Sequence, residues 1–551
     1  MEKINLDDFS ILIGGKAGFG IDNSSLVIAH LLNESGYFIH VYRDYPSLIR
    51  GGHTFSIIRA SKKKISAFGN KIDFLLSLNK ETLDLHRMRL KEGSVIIYDS
   101  KIEATKGIPI DLEKIIKEEK AHEIMRNSIL IGALCKNLGI EWDSLVKVFQ
   151  KHLSKELDLN LKVAKRGYDE MAVNYKIIAS DLRRPLLTGN EALGLGLLNA
   201  GLEAYLAYPM TPSSTILHFL AEIAPDFNLQ VIHPESEIAV MLMGLGFSYM
   251  GKKVAVGTSG GGFCLMTEGL SFSAMAELPI TIIMGQRTGP STGLPTYTAQ
   301  ADLNFVLHAG HGEFLRLIVA PGDAEEAYYW AGLALNLSCK YQIPSIILTD
   351  KTLAEGAFSF EKEDLEIKDE TFKWDGTGVY KRYSNSENGV SPLAVPPEKG
   401  AVIKASSYEH DEAGITTEDP KITKSMQEKR FKKEKYLIED LKKLKTVNVL
   451  GDLKSSKAIL CFGSNKGVCA EVGEKLKMRV IQPLVINPFP KEALLEAFKG
   501  VKKVFCVENN IKGQLADLFT FHGFEIDKRI LKYDGRPFTL DELEEKLGDK
   551  L

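Results

Sequence analysis

Tyr208-Pro209-Met210-Thr211-Pro212-Ser213-Ser214 follows one apolar run, Ala204 to Ala207, and precedes another, Ile216 to Leu220. Two prolines bracket a threonine. Proline fixes φ and lacks a backbone donor, so the segment reads as a stiff loop that leaves a strand and enters a helix. Thr211, Ser213 and Ser214 are placed either to cap that helix or to present hydroxyls to a ligand. Taken alone, the loop is first of all a rigid turn. Its neighbours in the chain give it a second meaning.

Around it, strands are expected at Tyr205 to Tyr208, Gln230 to His233, Val254 to Gly257, Ile280 to Met284, Leu317 to Ala320 and Ser345 to Thr349. Most are continuous apolar runs, which favours a parallel sheet covered on both faces in an α/β fold. Ligands of open α/β sheets bind beyond the strand ends, and three clusters fall there. In Pro234-Glu235-Ser236-Glu237, Glu237 opens a helix, either as a plain first-turn acid favoured by the dipole or as a working carboxylate. Gly257-Thr258-Ser259-Gly260-Gly261-Gly262 lets a ligand or another chain approach the backbone closely. Gln286-Arg287-Thr288-Gly289-Pro290 offers one guanidinium among small residues, which suits a carboxylate or a helix C-terminus.

The N-terminal part, from about residue 8 to 180, is a separate α/β unit. Its strand Phe9 to Ile13 runs into Gly14-Gly15-Lys16-Ala17-Gly18-Phe19-Gly20 and a helix. That geometry can cradle a phosphate, although the spacing is neither the dinucleotide fingerprint nor a P-loop, and a tight turn serves equally well. Arg50-Gly51-Gly52-His53 is a second glycine turn. Residues 356–445 are polar and turn-rich until a charged helix from Ile422 to Leu444, and a small α/β domain closes the chain. Four divisions result: 1–182, 183–355, 356–445 and 446–551.

Bulk properties narrow the function. The 551 residues exceed one core, and the net charge of −3 gives no footing for nucleic acid. Met1 to Asn5 has no signal-peptide character, and no apolar run is long enough for a bilayer. The six cysteines form no C-x-x-C pair, which suggests reduced thiols in a cytoplasm and no metal or iron–sulfur site in this chain.

With these segments in order, the chain resembles the α subunit of the 2-oxoacid:ferredoxin oxidoreductases. Tyr208 to Ser214, Glu235 to Glu237, the triple glycine, Gln286 to Pro295, Gln300 to Leu303, Gly310 to Glu313, Glu409 to Glu412 and Thr417 to Pro420 carry the resemblance. The N-terminal unit resembles the family's γ domain, as in the γ–α fusions common among 2-oxoglutarate-type enzymes. The resemblance implies a pyrimidine-type thiamine diphosphate domain at 183–355 and a transketolase-C-terminal-like domain at 446–551. It implies CoA-dependent oxidative decarboxylation of a 2-oxoacid, with electrons passed to ferredoxin. Glu237 matches the cofactor-activating glutamate, with Glu235 as competitor; Thr211 matches the threonine that contacts substrate, and Arg287 the arginine that holds its carboxylate. Tyr208, Pro209, Thr258, Ser259 and Gly260 fall at cofactor-binding positions.

The resemblance also shows what is missing. No Gly-Asp-Gly is followed at a suitable distance by Asn-Asn, the oxygen set that holds Mg2+ and diphosphate. Asp375-Gly376 and Glu508-Asn509-Asn510 do not replace it in order or spacing. A β subunit is therefore implied, bringing Mg2+, the diphosphate site and a [4Fe-4S] cluster, in a dimer of αβ units. Met210, Leu393, Tyr297 and Ala299 depart from the family pattern. Leu393 stands where 2-oxoglutarate-type members often carry arginine, so the substrate is 2-oxoglutarate or a less polar 2-oxoacid. The other readings are a nucleotide-dependent dehydrogenase, resting on Gly14 to Gly20, and a non-catalytic scaffold subunit.

Overall fold

The computed structural model describes residues 4–46, 51–103, 106–177, 180, 182–362 and 369–548. The chain divides into two compact units, one of residues 1–188, 355–361 and 539–551, the other of 189–354 and 362–538.

The first unit is built on an eight-stranded mixed sheet. Its central strand, Asp8–Lys16, is buried along its middle, pairs antiparallel with His53–Ser61 and parallel with Ile72–Ser77. The glycine loop after it enters the helix Ile21–Glu34 through Gly20, at φ 71, where a Cβ would be strained. Both glycine turns meet here: the Ala17 amide donates to the Gly52 carbonyl at 2.8 Å, and Lys16 pairs with His53. Arg50 lies outside the described residues. Leu186–Thr188 and Ala357–Ser359 complete the sheet edge, so the chain returns to this unit after the parallel-sheet segment.

The second unit holds a seven-stranded sheet in the order Gln230–Ile232, Ala204–Ala207, Val254–Ser259, Ile280–Gln286, Pro344–Asp350, Leu317–Val319 and Val485–Asn487. The first six are parallel, and the last is antiparallel. Helices cover both faces, and this is why the strands read as unbroken apolar runs. The last strand comes from the C-terminal segment, whose own five-stranded sheet includes Lys457–Leu460 and Lys503–Glu508. Leu460, Phe462, Ile481, Leu515 and Phe519 share one core with Val256, Phe263 and Ile282. The segments expected as separate domains at 183–355 and 446–551 thus form one compact body.

The polar excursion is held by charge. Within it, Arg382 is fully buried and donates to the Glu277 carbonyl at 2.7 Å and to Gln342 Oε1 at 3.2 Å. Glu277 also accepts from Lys429 at 2.7 Å and from Lys433, both on the helix Pro420–Leu441. Burial pushes the Glu277 carboxyl up, but Lys429, Lys433 and Arg382 outweigh it and hold the group ionised.

Candidate functional site

Parallel strands end together, so the residues that follow them share one sheet edge. Here Ala207 pairs with Gly257, and Ser259 with Gly285. The loop after Ala207 therefore lies beside the glycine run and Arg287.

That loop is fixed at several points. A Cβ on Gly285 would lie 2.9 Å from Pro212 Cγ, so only bare backbone lets the proline ring seat there. Asn190 Nδ2 donates to the Pro212 carbonyl at 2.8 Å, and Arg287 Nη1 to the Thr211 carbonyl at 3.0 Å. Ser213 occupies the cap position of the helix Ser214–Phe227 without capping it, because its hydroxyl donates to the Met210 carbonyl at 2.9 Å. Thr211 is half-buried, and its hydroxyl has no partner among the described residues. Tyr208 and Pro209 are exposed at the rim, where Tyr208 meets His233 edge-on at 5.8 Å.

Glu237 is the first residue of the helix Glu237–Tyr249. Ser236 caps that helix by accepting from the Ala239 amide at 3.3 Å. The Glu237 residue is 5% exposed, yet its carboxylate has no hydrogen bond or ion pair among the described residues. A largely buried carboxylate in that state takes its hydrogen bonds from outside the protein's own groups, from water or a ligand. Glu235, the sequence competitor, is exposed.

The glycine run shapes the space around this carboxylate. A Cβ on Gly262 would lie 2.6 Å from Glu237 Oε1 and would press on Thr258 Oγ1, whereas Gly261 faces open space. Thr258 is fully buried and donates to the Ser259 carbonyl, so it supports the cradle from below. Ser259 starts the helix Gly260–Met275 without a side-chain cap, and its buried Oγ has no partner. The first amides of that helix are left available to an anion or a polar ligand.

Arg287 follows the strand Ile280–Gln286 and is anchored by Gln286, whose Nε2 donates to the Thr349 carbonyl at 3.3 Å. Its buried Nε has no partner. Burial lowers its pKa, and Asp302 opposes the shift. Asp302 was not singled out from sequence as a site residue. Its amide donates to Gln286 Oε1 at 3.1 Å, and its carboxylate lies 3.0 Å from where a Cβ on Gly260 would stand. Burial raises the Asp302 carboxyl to about 6, against the pull of Arg287. The only signal in the sequence is an acid just after Gln300-Ala301.

Thus Thr211, Glu237, Ser259, Gly260 and Arg287 meet at one sheet edge, with Asp302 among them. Leu393 does not join them. It lines a cavity with Lys252, Lys253 and Pro279, at the opposite end of the same strands. The expectation that Leu393 replaces a basic residue near the substrate is therefore not supported by its position in this chain. Asn509 and Asn510 also serve the fold: with Asn465 they bind Gln300, while Glu508 accepts from the Leu515 and Ala516 amides. Among the described residues, no group of three or more His, Cys, Asp or Glu is placed to hold a metal, and no helix is long and apolar enough to cross a membrane.

The chain as a whole is similar to known proteins. Residues 195–428 match the family model described as "Pyruvate flavodoxin/ferredoxin oxidoreductase, thiamine diP-bdg", and residues 10–170 match "Pyruvate ferredoxin/flavodoxin oxidoreductase". The chain is 32% identical to the 2-oxoacid:ferredoxin oxidoreductase subunit alpha of Sulfolobus sp, over 98% of this chain and 96% of that one. It is 31% identical to the subunit of the same name from Saccharolobus solfataricus, over 97% and 96%. Among solved structures, a 2-oxoglutarate:ferredoxin oxidoreductase from Magnetococcus marinus, with 2-oxoglutarate, coenzyme A and succinyl-CoA bound, matches at 30% identity and a TM-score of 0.90, over 99% of this chain and 100% of that one.

Proposed function

The chain belongs to the 2-oxoacid:ferredoxin oxidoreductase α-subunit family, and from that premise we propose that the edge bearing Glu237, Thr211 and Arg287 is the pyrimidine-side half of a thiamine diphosphate active site. The reaction is the CoA-dependent oxidative decarboxylation of a 2-oxoacid, with electrons passed to ferredoxin. The observation that carries this reading is the Glu237 carboxylate, buried and without a protein partner beside the bare backbone of Gly262.

The residues present fit the cofactor's aminopyrimidine. Glu237 supplies a carboxylate for a ring nitrogen, Ser259 an unpartnered hydroxyl, and Gly260 to Gly262 a surface without side chains. When bound, thiamine diphosphate supplies the nucleophilic carbon and the electron sink for decarboxylation. This chain's part is to hold and move protons and to orient the substrate. Glu237 holds a proton at Oε against the ring. Arg287 turns its unengaged guanidinium edge to the substrate carboxylate. Thr211 directs its free hydroxyl at the substrate's oxo oxygen or the group derived from it.

A second chain completes the site. It brings the Mg2+ and diphosphate ligands and a [4Fe-4S] cluster. Exposed apolar residues on the two helices that start at the site, Ile238, Leu242 and Leu265 with Cys264, support a protein partner on that face. The assembly is a dimer of αβ units working in the cytoplasm. Co-expression with such a β chain, followed by assay on 2-oxoglutarate, pyruvate and branched 2-oxoacids with CoA and ferredoxin, tests the proposal. Turnover by the complex and none by either chain alone is the expected result. 2-Oxoacid oxidation by this chain alone would refute the divided site.

A further inference from the structure

We propose that Asp302 sets the charge state of the Arg287 receptor, so that a 2-oxoacid anion binds together with one proton taken up on the Asp302 carboxyl. This rests on the reading of the site above and adds to it a rule for substrate affinity.

The geometry begins with Gln286. One side-chain amide grips the Asp302 amide at 3.1 Å, and the next residue in the strand direction is Arg287. Arg287 and Asp302 are thereby held within reach of each other's charge, but no ion pair forms between them. Arg287 is engaged through Nη1 with the Thr211 carbonyl, and its Nε is buried without a partner. The Asp302 carboxylate instead lies 3.0 Å from where a Cβ on Gly260 would stand, beside the uncapped start of the helix Gly260–Met275. In the free protein, the Arg287 cation and one carboxylate face each other beside that helix start.

A substrate carboxylate changes that balance. It brings a second anion to one partly buried guanidinium, where like charges repel. Neutralising Asp302 removes the conflict. Burial already holds the Asp302 carboxyl at about 6, so the proton is accessible near neutral pH.

The other elements around Asp302 offer little that could replace it. The helix Gly260–Met275 has no acid in its first turn, and the helix Leu303–His308 carries only His308 at its far end. Gln514 and Asn510 face the segment Gln300–Asn304 as neutral amides. Glu237 comes from the neighbouring helix and lies at Gly262 rather than Gly260. Asp350 lies behind Gln300. The step balances simply: ionised Asp302, the substrate anion and one solvent proton give a complex holding neutral Asp302. The proton returns to solvent when the carboxylate is lost as CO2.

The test uses the complex with its β chain and follows KM for 2-oxoglutarate and pyruvate from pH 5.5 to 8.5. KM is expected to be flat below about pH 6 and to rise about tenfold per pH unit above it. Asp302→Asn should abolish the slope and lower KM at pH 8 by about 10- to 100-fold, a larger change than any in kcat. A pH-independent KM in the unaltered complex, an Asn variant that keeps the slope, or one with a higher KM at every pH would each overturn the proposal. If the Asn variant does not fold, Asp302→Glu decides: it should keep the slope with a shifted break, and a flat profile would count against the inference. Absence of 2-oxoacid turnover at any pH would instead refute the site assignment itself.

Discussion

Arg287 reaches across the strand Val254–Ser259 to donate from Nη1 to the Thr211 carbonyl at 3.0 Å. One contact thus fixes both the substrate-facing cation and the loop that carries the substrate-facing hydroxyl. Arg287→Met should cost about 2–5 kcal/mol of transition-state stabilisation. In kcat/KM for the 2-oxoacid this is a loss of roughly 30- to several-thousand-fold. Arg287→Lys keeps the charge but not the fork, so its loss should be intermediate.

Two adjacent glycines should behave oppositely. Gly262→Ala drives a Cβ to 2.6 Å from Glu237 Oε1, so the carboxylate must move. Overpacking of this kind costs about 1–3 kcal/mol in stability, and turnover should fall with it. Gly261→Ala meets nothing and removes a flexible residue from a helix, so the isolated chain should gain up to about 1 kcal/mol. Thermal melting of the chain and assay of the complex separate the two.

The sheet was legible because strands buried on both faces leave unbroken apolar runs, and the loop at Tyr208 to Ser214 was legible because proline punctuates so strongly. Their register explains why Thr211, Glu237 and Arg287 converge. Asp302 was harder to find. Its importance comes from Gln286 and Gly260, which are 16 and 42 positions away in sequence and meet it only through the fold. The Ser213 hydroxyl was equally ambiguous: a cap and an inward turn to the Met210 carbonyl use the same residue type. Leu393 misled for the same reason, since no local pattern tells which end of a parallel sheet a long excursion covers.

The excursion's anchor gives a stability prediction. Glu277 sits at φ 50, fully buried with Lys429, Lys433 and Arg382. Glu277→Gln leaves the buried Lys429, Lys433 and Arg382 without their carboxylate. It should destabilise the second unit by about 3–5 kcal/mol, read by chemical denaturation.

In the first unit, burial, with Arg59 adding to it, lowers His40 to about 3 from an ordinary 6.5. Its ring lies against Phe358 and Phe68, and Nδ1 has no partner. Below about pH 6.5 the unfolded chain takes up a proton there that the folded chain refuses until about pH 3. Stability is therefore lost as pH falls through that window, by about 1.4 kcal/mol per unit. His30 and His86, lowered to about 4 and about 3, act in the same sense. His40→Leu should make the acid loss shallower by its own share, measured by denaturation at pH 7 and pH 4.5.

The central claim is that Glu237 is the proton-holding carboxylate of a thiamine diphosphate site. Glu237→Gln keeps the Ser236 cap and the side-chain volume, so the complex should assemble and melt as before. Its turnover with 2-oxoacid, CoA and ferredoxin should fall by about 10²- to 10⁴-fold, the range for losing an acid–base group. Unchanged turnover in the assembled Gln variant would contradict the account.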